Sequence, residues 1–166
     1  MPDDLKILQD LLLQRLDVTC TNYEKDPECE EYTGYTCTLA SRVVIYRKAK
    51  ITPKKIGQFV TVWKRNEAGI TAPFNLTDTF DFYLILTEDQ DQLGCFIFPK
   101  SALVAQGIIS TPKRNGKRGF RVYPSWVTPT NKQALKTQQE QRPYFLSLHD
   151  WNQQTLALAQ SIFHLK

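Results

Sequence analysis

Apolar residues recur at helical spacing near the start of the chain, where leucines fall three to four residues apart between 4 and 16. Positions with that spacing share one face of a helix, so the pattern predicts an amphipathic helix there. Related patterns predict further helices at 101–107, at 130–141 and at about 152–165. The acidic segment "NYEKDPECEEY" is predicted to form a loop and then a short helix that begins near Pro27.

Runs of β-branched and aromatic residues predict strands, and these strands come in three pairs. The pairs are "YTCTLA" with "RVVIYRKAKI", "DFYLILT" with "LGCFIFP", and "GIISTPK" with "KRGFRVYP". The last pair flanks Asn115-Gly116, a dipeptide typical of two-residue hairpin turns. The whole order of elements predicts one mixed α/β (α+β) domain over 1–166, in which helices flank a mixed central sheet.

Another predicted helix, which begins at Thr52, carries unusual charges in its first turn. Thr52 is a good N-cap, Pro53 suits the first helical position, and apolar residues then recur at helical spacing. The helix dipole disfavours Lys54 and Lys55 there by about 0.3–1 kcal/mol. The unpaired backbone amides of a helix start, with Lys50 close by, are typical of an anion site. A phosphate bound there would attract these lysines, so their unfavourable interaction with the helix dipole would be offset. The alternative is a solvated turn whose lysines extend into water.

Charge is divided unevenly along this chain of 166 residues with a net charge of +4. Residues 1–31 hold nine acids and three bases, whereas residues 42–142 hold seventeen bases and seven acids. A strongly basic surface attracts polyanions through counterion release, so nucleic acid is the first partner to consider. Composition alone also permits a solvated basic face without a partner. A separate hypothesis follows from the two opposite charges: the acidic segment 1–31 covers the basic face when no ligand is present.

The segment "KRNGKRGFRVY" is the second basic feature of the sequence. Strand alternation directs Phe120 and Val122 to the core and places Lys117, Arg121 and Tyr123 on the opposite face. Basic side chains around an aromatic ring are typical of contacts with nucleic acid, although charged hairpin tips also keep sheets soluble. The predicted nucleic-acid contacts are Lys50, Lys54, Lys55, Arg114, Lys117, Arg121, Lys132 and Lys136.

The candidate catalytic residues are Asp81 and Lys100. Asp81 opens one predicted strand and Lys100 closes the next, so a hairpin would bring the two together. Metal-dependent cleavage of a phosphodiester needs carboxylates on the ion and a lysine that positions or activates water. Phe98 occupies the same strand face as Lys100, where an acid would strengthen such a site. The structural alternative is that Asp81 caps a strand and Lys100 begins a helix.

Five segments together resemble the MepB family of small bacterial proteins. They are "RKAKITPKKIGQFVTVWKR", "GCFIFPKSAL", "GIIS", "GKRGFRVYPSW" and "NKQALKTQ...YF", in that order, and the resemblance extends from about 28 to 145. The fold of that family is similar to the fold of PD-(D/E)XK nucleases. The resemblance therefore implies an α/β core with DNA as the ligand.

The resemblance also implies roles for particular residues. Asp81 matches the acid that opens the second core strand, and Lys100 matches the lysine that closes the third. Phe98 stands where that superfamily has a second acid, and Glu28 and Glu31 are the candidates for the remaining carboxylate. Asp81, Glu28 and Glu31 would then hold Mg²⁺ or Mn²⁺ if the protein cleaves DNA.

The expected function is DNA binding by a protein with a nuclease-like fold and a degenerate or atypical active site. A metal-dependent DNA nuclease is one alternative, and a protein-interaction module whose basic face meets an acidic partner is another. The longest apolar run has five residues, which predicts no membrane span. Four irregularly spaced cysteines lack the pattern of a zinc site and predict reduced thiols in a cytoplasmic protein.

Overall fold

The computed structural model describes residues 1–165, which form four α-helices and eleven strands. The helices are α1 (Asp3–Leu8), α2 (Lys100–Ala105), α3 (Lys132–Gln141) and α4 (Gln153–Phe163). The strands are β1 (Cys20–Lys25), β2 (Tyr35–Leu39), β3 (Arg42–Lys48), β4 (Lys50–Thr52), β5 (Lys55–Thr61), β6 (Trp63–Arg65), β7 (Thr71–Pro73), β8 (Phe82–Asp89), β9 (Gln92–Pro99), β10 (Gly119–Val122) and β11 (Phe145–Ser147). Helix α1 continues through a π turn and a 3-10 turn to Leu16.

The central sheet has six strands in the order β1-β2-β3-β8-β9-β11. Strands β3 and β8 are parallel and the other neighbours are antiparallel, so the sheet is mixed, as the sequence predicts. A second sheet has the order β10-β5-β4, and β6 pairs with β7 alone. The prediction of a single mixed α/β domain is therefore confirmed.

Both faces of the central sheet are buried, which explains the apolar runs in β8 and β9. On one face a cluster includes Leu8 and Leu12 from the N-terminal helical segment, Leu84 from β8 and Phe163 from α4. On the other face Tyr83, Ile85, Phe96 and Phe98 pack against Val60 of β5, Leu103 of α2 and Val122 of β10. The second sheet and α2 thus cover the face opposite to the terminal helices.

The predicted helix that begins at Thr52 is wrong, because this segment forms the antiparallel hairpin β4–β5. Its buried side chains alternate along the chain, since Gln58, Val60 and Val62 are each at most 2% exposed. Period-two burial is the signature of a strand, and Gly57 has φ +85°, which a helix cannot accommodate. Lys54 therefore lies in a turn between two strands.

The predicted hairpin around Asn115-Gly116 is also wrong. Strand β10 pairs with β5, and the segment 107–113 contains only isolated bridges. That segment still folds back beside the chain leading to β10, because Lys117 N donates to Ile108 O at 2.9 Å and Gly116 N donates to Ser110 Oγ at 2.7 Å. Phe120 and Val122 point into the core, as strand alternation predicts.

The acidic segment contains an additional strand, since Cys20–Lys25 forms β1 where the sequence predicts a loop. The short helix after it is a 3-10 turn at Glu30–Tyr32, slightly later than predicted. The predicted hairpins β2–β3 and β8–β9 are confirmed, as are the helices at 101–107, 130–141 and about 152–165.

The cysteines are free, buried thiols at all four positions of the sequence. Cys20 and Cys37 lie on neighbouring strands with their sulfur atoms 3.0 Å apart, and the hydrogen bond between them, together with burial, raises the pKa of Cys20. None of the helices within residues 1–165 combines the length and the apolar composition of a membrane span.

Candidate nucleic-acid interface

Two adjoining cavities, of about 590 Å³ and 360 Å³, open along α3. The larger cavity lies between the turn of this hairpin and the start of α3, and the smaller lies between the loop after α2 and the middle of α3. Arg121, Tyr123 and Gln133 line both cavities. We call the combined feature the basic groove.

Five of the eight predicted nucleic-acid contacts line the basic groove. Lys54, Lys55 and Arg121 line the larger cavity, while Arg114 and Lys117 join Arg121 in the smaller one. These cations are separated by up to 67 positions in sequence, and Glu140 is the one carboxylate among the described lining residues. Tertiary structure thus gathers distant cations on one surface with a net charge of +4, from five cations less one acid.

Arg121 is held in place by the hairpin that forms one wall of the groove. Its Nη2 donates to Thr52 Oγ1 at 2.5 Å, and its Nη1 donates to the carbonyl oxygens of Ile56 and Gly57 at 3.3 and 3.4 Å. These bonds fix the guanidinium across the end of β4–β5. The group is therefore ordered before any ligand arrives, which lowers the entropy cost of binding.

Tyr123 is fixed between β5 and α3. Its backbone N donates to Gln141 Oε1 at 2.9 Å, and Gln141 Nε2 donates to Arg121 O at 2.8 Å. The buried Gln141 side chain thus pairs with the free edge of β10 as a neighbouring strand would. On the opposite side Gly57 permits the ring to approach, since a Cβ there would lie 2.7 Å from Tyr123 Cε1.

Gly57→Ala is expected to lower the free energy of unfolding by about 1–3 kcal/mol more than Gly69→Ala does. Both glycines have positive φ, +85° and +75°, so both substitutions carry the same kind of backbone strain. A Cβ at Gly57 also meets the Tyr123 ring and Val122 O, whereas a Cβ at Gly69 meets nothing within 4 Å. Urea unfolding of the two variants measures the difference, and equal losses would contradict the close approach of Tyr123.

The remaining predicted contacts lie outside the basic groove. Lys132 and Lys136 are exposed on α3 but line neither cavity. Lys50 turns away from the groove, because its Nζ lies 4.8 Å from the Tyr32 ring centre and 3.7 Å from a Glu31 oxygen. Its charge is therefore already partnered.

Several polar lining residues of α3 are absent from the sequence prediction. Gln133, Thr137 and Glu140 follow one another at helical spacing and line the smaller cavity. The sequence pattern that could have identified them is a stripe of polar residues at positions i, i+4 and i+7 of a helix. This stripe lies on the side of α3 next to the buried Gln141.

Asp81 and Lys100 are adjacent at the backbone, as the predicted hairpin requires. Lys100 N donates to Asp81 O at 3.0 Å. The side chains have other partners: Asp81 Oδ2 accepts from Val43 N at 2.8 Å, and Lys100 Nζ donates to the carbonyl oxygens of Leu76, at 3.1 Å, and Asp78. Both side chains therefore hold the protein's own backbone, which agrees with the structural alternative.

The carboxylates proposed as metal ligands are not brought together. Glu28 pairs with Arg65, and Glu31 lies beside Lys50. Within residues 1–165 no three His, Cys, Asp or Glu side chains are grouped as a metal ion would require. Phe98, in the place of the second acid, is fully buried among aromatic rings. These residues do not fit a Mg²⁺ or Mn²⁺ site.

The acidic segment 1–31 neutralises cations other than those of the basic groove. Its ion pairs with later residues are Asp4–Lys48 at 3.2 Å, Asp26–Arg47 at 2.9 Å, Glu28–Arg65 and Glu31–Lys50 at 3.7 Å. None of the described residues that line the groove belongs to 1–31. The hypothesis that this segment covers the basic face therefore does not hold for the groove.

The fold and the site together define a mixed α/β protein with a cation-lined groove between a β-hairpin and a helix. The chain belongs to the MepB-like family, whose model matches residues 26–147. In structure it is similar to the crystal structure of MepB, with a TM-score of 0.76 and 32% identity over 89% of this chain and 97% of that chain. The predicted resemblance is thereby confirmed.

A second similarity is much weaker. A bacterial homing endonuclease, I-Ssp6803I, has a TM-score of 0.39 and 17% identity, over 70% of this chain and 84% of that chain. A TM-score this low does not establish a shared fold, so the nuclease-like core stays a prediction. No curated protein matches this chain in sequence.

Proposed function

We propose that the basic groove binds nucleic acid. The observation that carries this proposal is the convergence of five cations on one groove: Lys54, Lys55, Arg114, Lys117 and Arg121. Among the groove residues that the structure describes, only Glu140 carries a carboxylate. Cations in such an arrangement release counterions when they contact successive phosphates, which supplies most of the affinity for a polyanion. The aromatic ring of Tyr123 lies among them, as it does in grooves that follow a nucleic-acid strand.

DNA is the ligand that the MepB resemblance implies, and binding without cleavage is the form of the proposal that the geometry favours. Cleavage would need carboxylates assembled on a metal ion. The side chains of Asp81 and Lys100 hold backbone groups instead, and Glu28 and Glu31 pair with cations. An acidic protein partner would also meet the cations, but nucleic acid combines phosphates for the cations with bases that stack on an aromatic ring such as Tyr123.

The proposal predicts a steep dependence of affinity on salt. Each neutralised phosphate contributes about −0.9 to the slope of log K against log salt for duplex DNA and about −0.7 for a single strand. Contacts from the five groove cations give an expected slope of about −3.5 to −4.5. A flat response between about 50 and 200 mM salt would count against nucleic-acid binding.

Charge-matched triple variants test where the ligand lies. The first variant removes three exposed groove cations through Lys54→Gln, Lys55→Gln and Lys117→Gln. We expect its affinity for DNA to be at least about 10-fold lower, and its slope of log K against log salt to be less steep by about 2–3. The control combines Lys6→Gln, Arg15→Gln and Lys25→Gln, which change the net charge equally outside the groove.

Fluorescence anisotropy with labelled DNA measures both variants. The control should retain most of the affinity, since none of its three residues lines the groove and salt screens the attraction of charges that do not contact the ligand. Equal losses in the two variants would show that net charge alone drives binding, and the groove would then have no special role.

A further inference from the structure

We infer that the basic groove takes a single strand of nucleic acid, with one base stacked on Tyr123. The inference rests on the proposed function and deepens it. Phosphates alone would need only cations, as on the outside of a duplex. The groove also presents apolar surface to its ligand, from the exposed Ile56 as well as Tyr123.

The size of the groove suits nucleotides that have left a duplex. Its cavities, about 590 Å³ and 360 Å³, fall in the range of about 300–1,000 Å³ that encloses a small-molecule ligand. In a duplex the bases are stacked inside and cannot enter such cavities, whereas a single strand can extend its bases into them.

Tyr123 has the properties of a stacking platform. It lines both cavities, so its ring lies where a strand would pass from one cavity to the other. The contact with Gly57 and the hydrogen bond to Gln141 hold the residue in place without a ligand. A fixed aromatic ring loses little entropy when a base stacks on it.

The cations are arranged on both sides of this ring. Lys54 and Lys55 belong to the larger cavity, and Arg114 and Lys117 belong to the smaller. A strand that crosses Tyr123 would therefore have one pair of cations for the phosphates before the stacked base and another pair for those after it.

The polar stripe of α3 gives this arrangement partners for base edges. Gln133 and Thr137 can both donate and accept hydrogen bonds, and Glu140 accepts them. A carboxylate repels phosphate but accepts a hydrogen bond from the amino group of a base. Glu140 is thus unfavourable for a groove that meets only a phosphate backbone and favourable for one that admits bases.

Tyr123→Leu and Tyr123→Phe test the inference by anisotropy, with a labelled DNA single strand and a duplex of the same sequence and length. We expect wild-type protein to prefer the single strand. Tyr123→Leu should weaken single-strand binding about 5- to 150-fold, as the loss of one base stack does, and weaken duplex binding much less, because the bases of a duplex stay stacked inside it. Tyr123→Phe keeps an aromatic face and should bind as wild type does.

A second readout uses 2-aminopurine in the single strand and does not depend on the stability of a variant. Stacking on Tyr123 should quench its fluorescence in wild-type protein and in Tyr123→Phe. Equal affinity for single strand and duplex, or an absence of quenching, would overturn the inference. The proposed function would still stand if binding depended on salt and were weakened in the variant of Lys54, Lys55 and Lys117. A flat salt response would contradict both the proposed function and this inference.

Discussion

Phe98→Ala is expected to lower the free energy of unfolding by about 3–5 kcal/mol. The Phe98 side chain is fully buried, and its ring stacks on Phe96 with the centroids 5.5 Å apart. Phe120 and Tyr144 close the site at 6.0 and 5.5 Å, from β10 and from the turn after α3. Alanine would leave a cavity where β10 and the turn after α3 meet the central sheet, and urea unfolding should show an earlier midpoint with an unchanged slope.

Phe98→Leu provides the matched control, because leucine fills much of the same volume. We expect it to lose less than half as much stability as the alanine variant. If both variants lost less than about 1 kcal/mol, the ring could not be part of a close-packed core.

The same packing bears on the nuclease alternative. Phe98 stands where the resemblance implies an acid, and restoring that acid as Phe98→Glu would bury a carboxylate among aromatic rings. A buried charge without a partner is strongly destabilising. We therefore interpret Phe98 as a core residue of the second apolar cluster, and Phe98→Glu is not expected to create a metal site.

The central sheet could be predicted from the sequence because its signals are local. The strands Phe82–Asp89 and Gln92–Pro99 are buried on both faces, so each carries a continuous apolar run with a polar turn between them. Their hairpin fixes the positions of Asp81 and Lys100 without any distant contact. The backbone adjacency of these two residues followed from that hairpin.

The hairpin β4–β5 could not be recognised because its sequence fits two periods. Ile56, Phe59, Val60 and Trp63 have helical spacing, while Gln58, Val60 and Val62 are the residues that the fold buries. The strand is selected by pairing with Gly119–Val122, about sixty residues later, and no local pattern reveals such a partner.

Lys54 and Lys55 were correctly predicted to share a basic surface, but the helix start on which this prediction rested is wrong. Lys54 and Lys55 were interpreted as charges at a helix start, yet they lie at the turn of a hairpin. They still line the groove because charged residues favour exposed turns and β10 brings Arg121 beside them. Lys50 could not be separated from them by sequence, since its partners Tyr32 and Glu31 approach only in the folded protein.

Asp26→Asn is expected to lower the free energy of unfolding by about 3 kcal/mol, the lower end of the range for breaking a buried ion pair. The Arg47 side chain is 3% exposed and its Nη2 donates to Asp26 Oδ2 at 2.9 Å, while the Asp26 side chain is 33% exposed. Asparagine keeps the Oδ1 acceptor that Glu28 N uses, so the substitution chiefly removes charge. Thermal and urea unfolding measure the loss.

Two further variants separate the buried ion pair from charge in general. Glu30→Gln removes the same charge from an exposed pair with Lys25 and should leave the free energy of unfolding almost unchanged. Adding Arg47→Met to Asp26→Asn should recover part of the loss, because the uncompensated buried charge is then gone. A single Asp26→Asn variant as stable as wild type would contradict the buried pair.

The Asp26 variant also separates two roles of the acidic segment. If the segment shielded the groove, weakening its attachment would raise the affinity for nucleic acid. The ion pairs place its charges on Arg47, Lys48, Lys50 and Arg65, none of which lines the groove. Folded Asp26→Asn protein is therefore expected to bind DNA with wild-type affinity while it unfolds more easily. The acids of the first 31 residues then serve the stability of the sheet, and the groove cations stay free for a ligand because no acid of this segment reaches them.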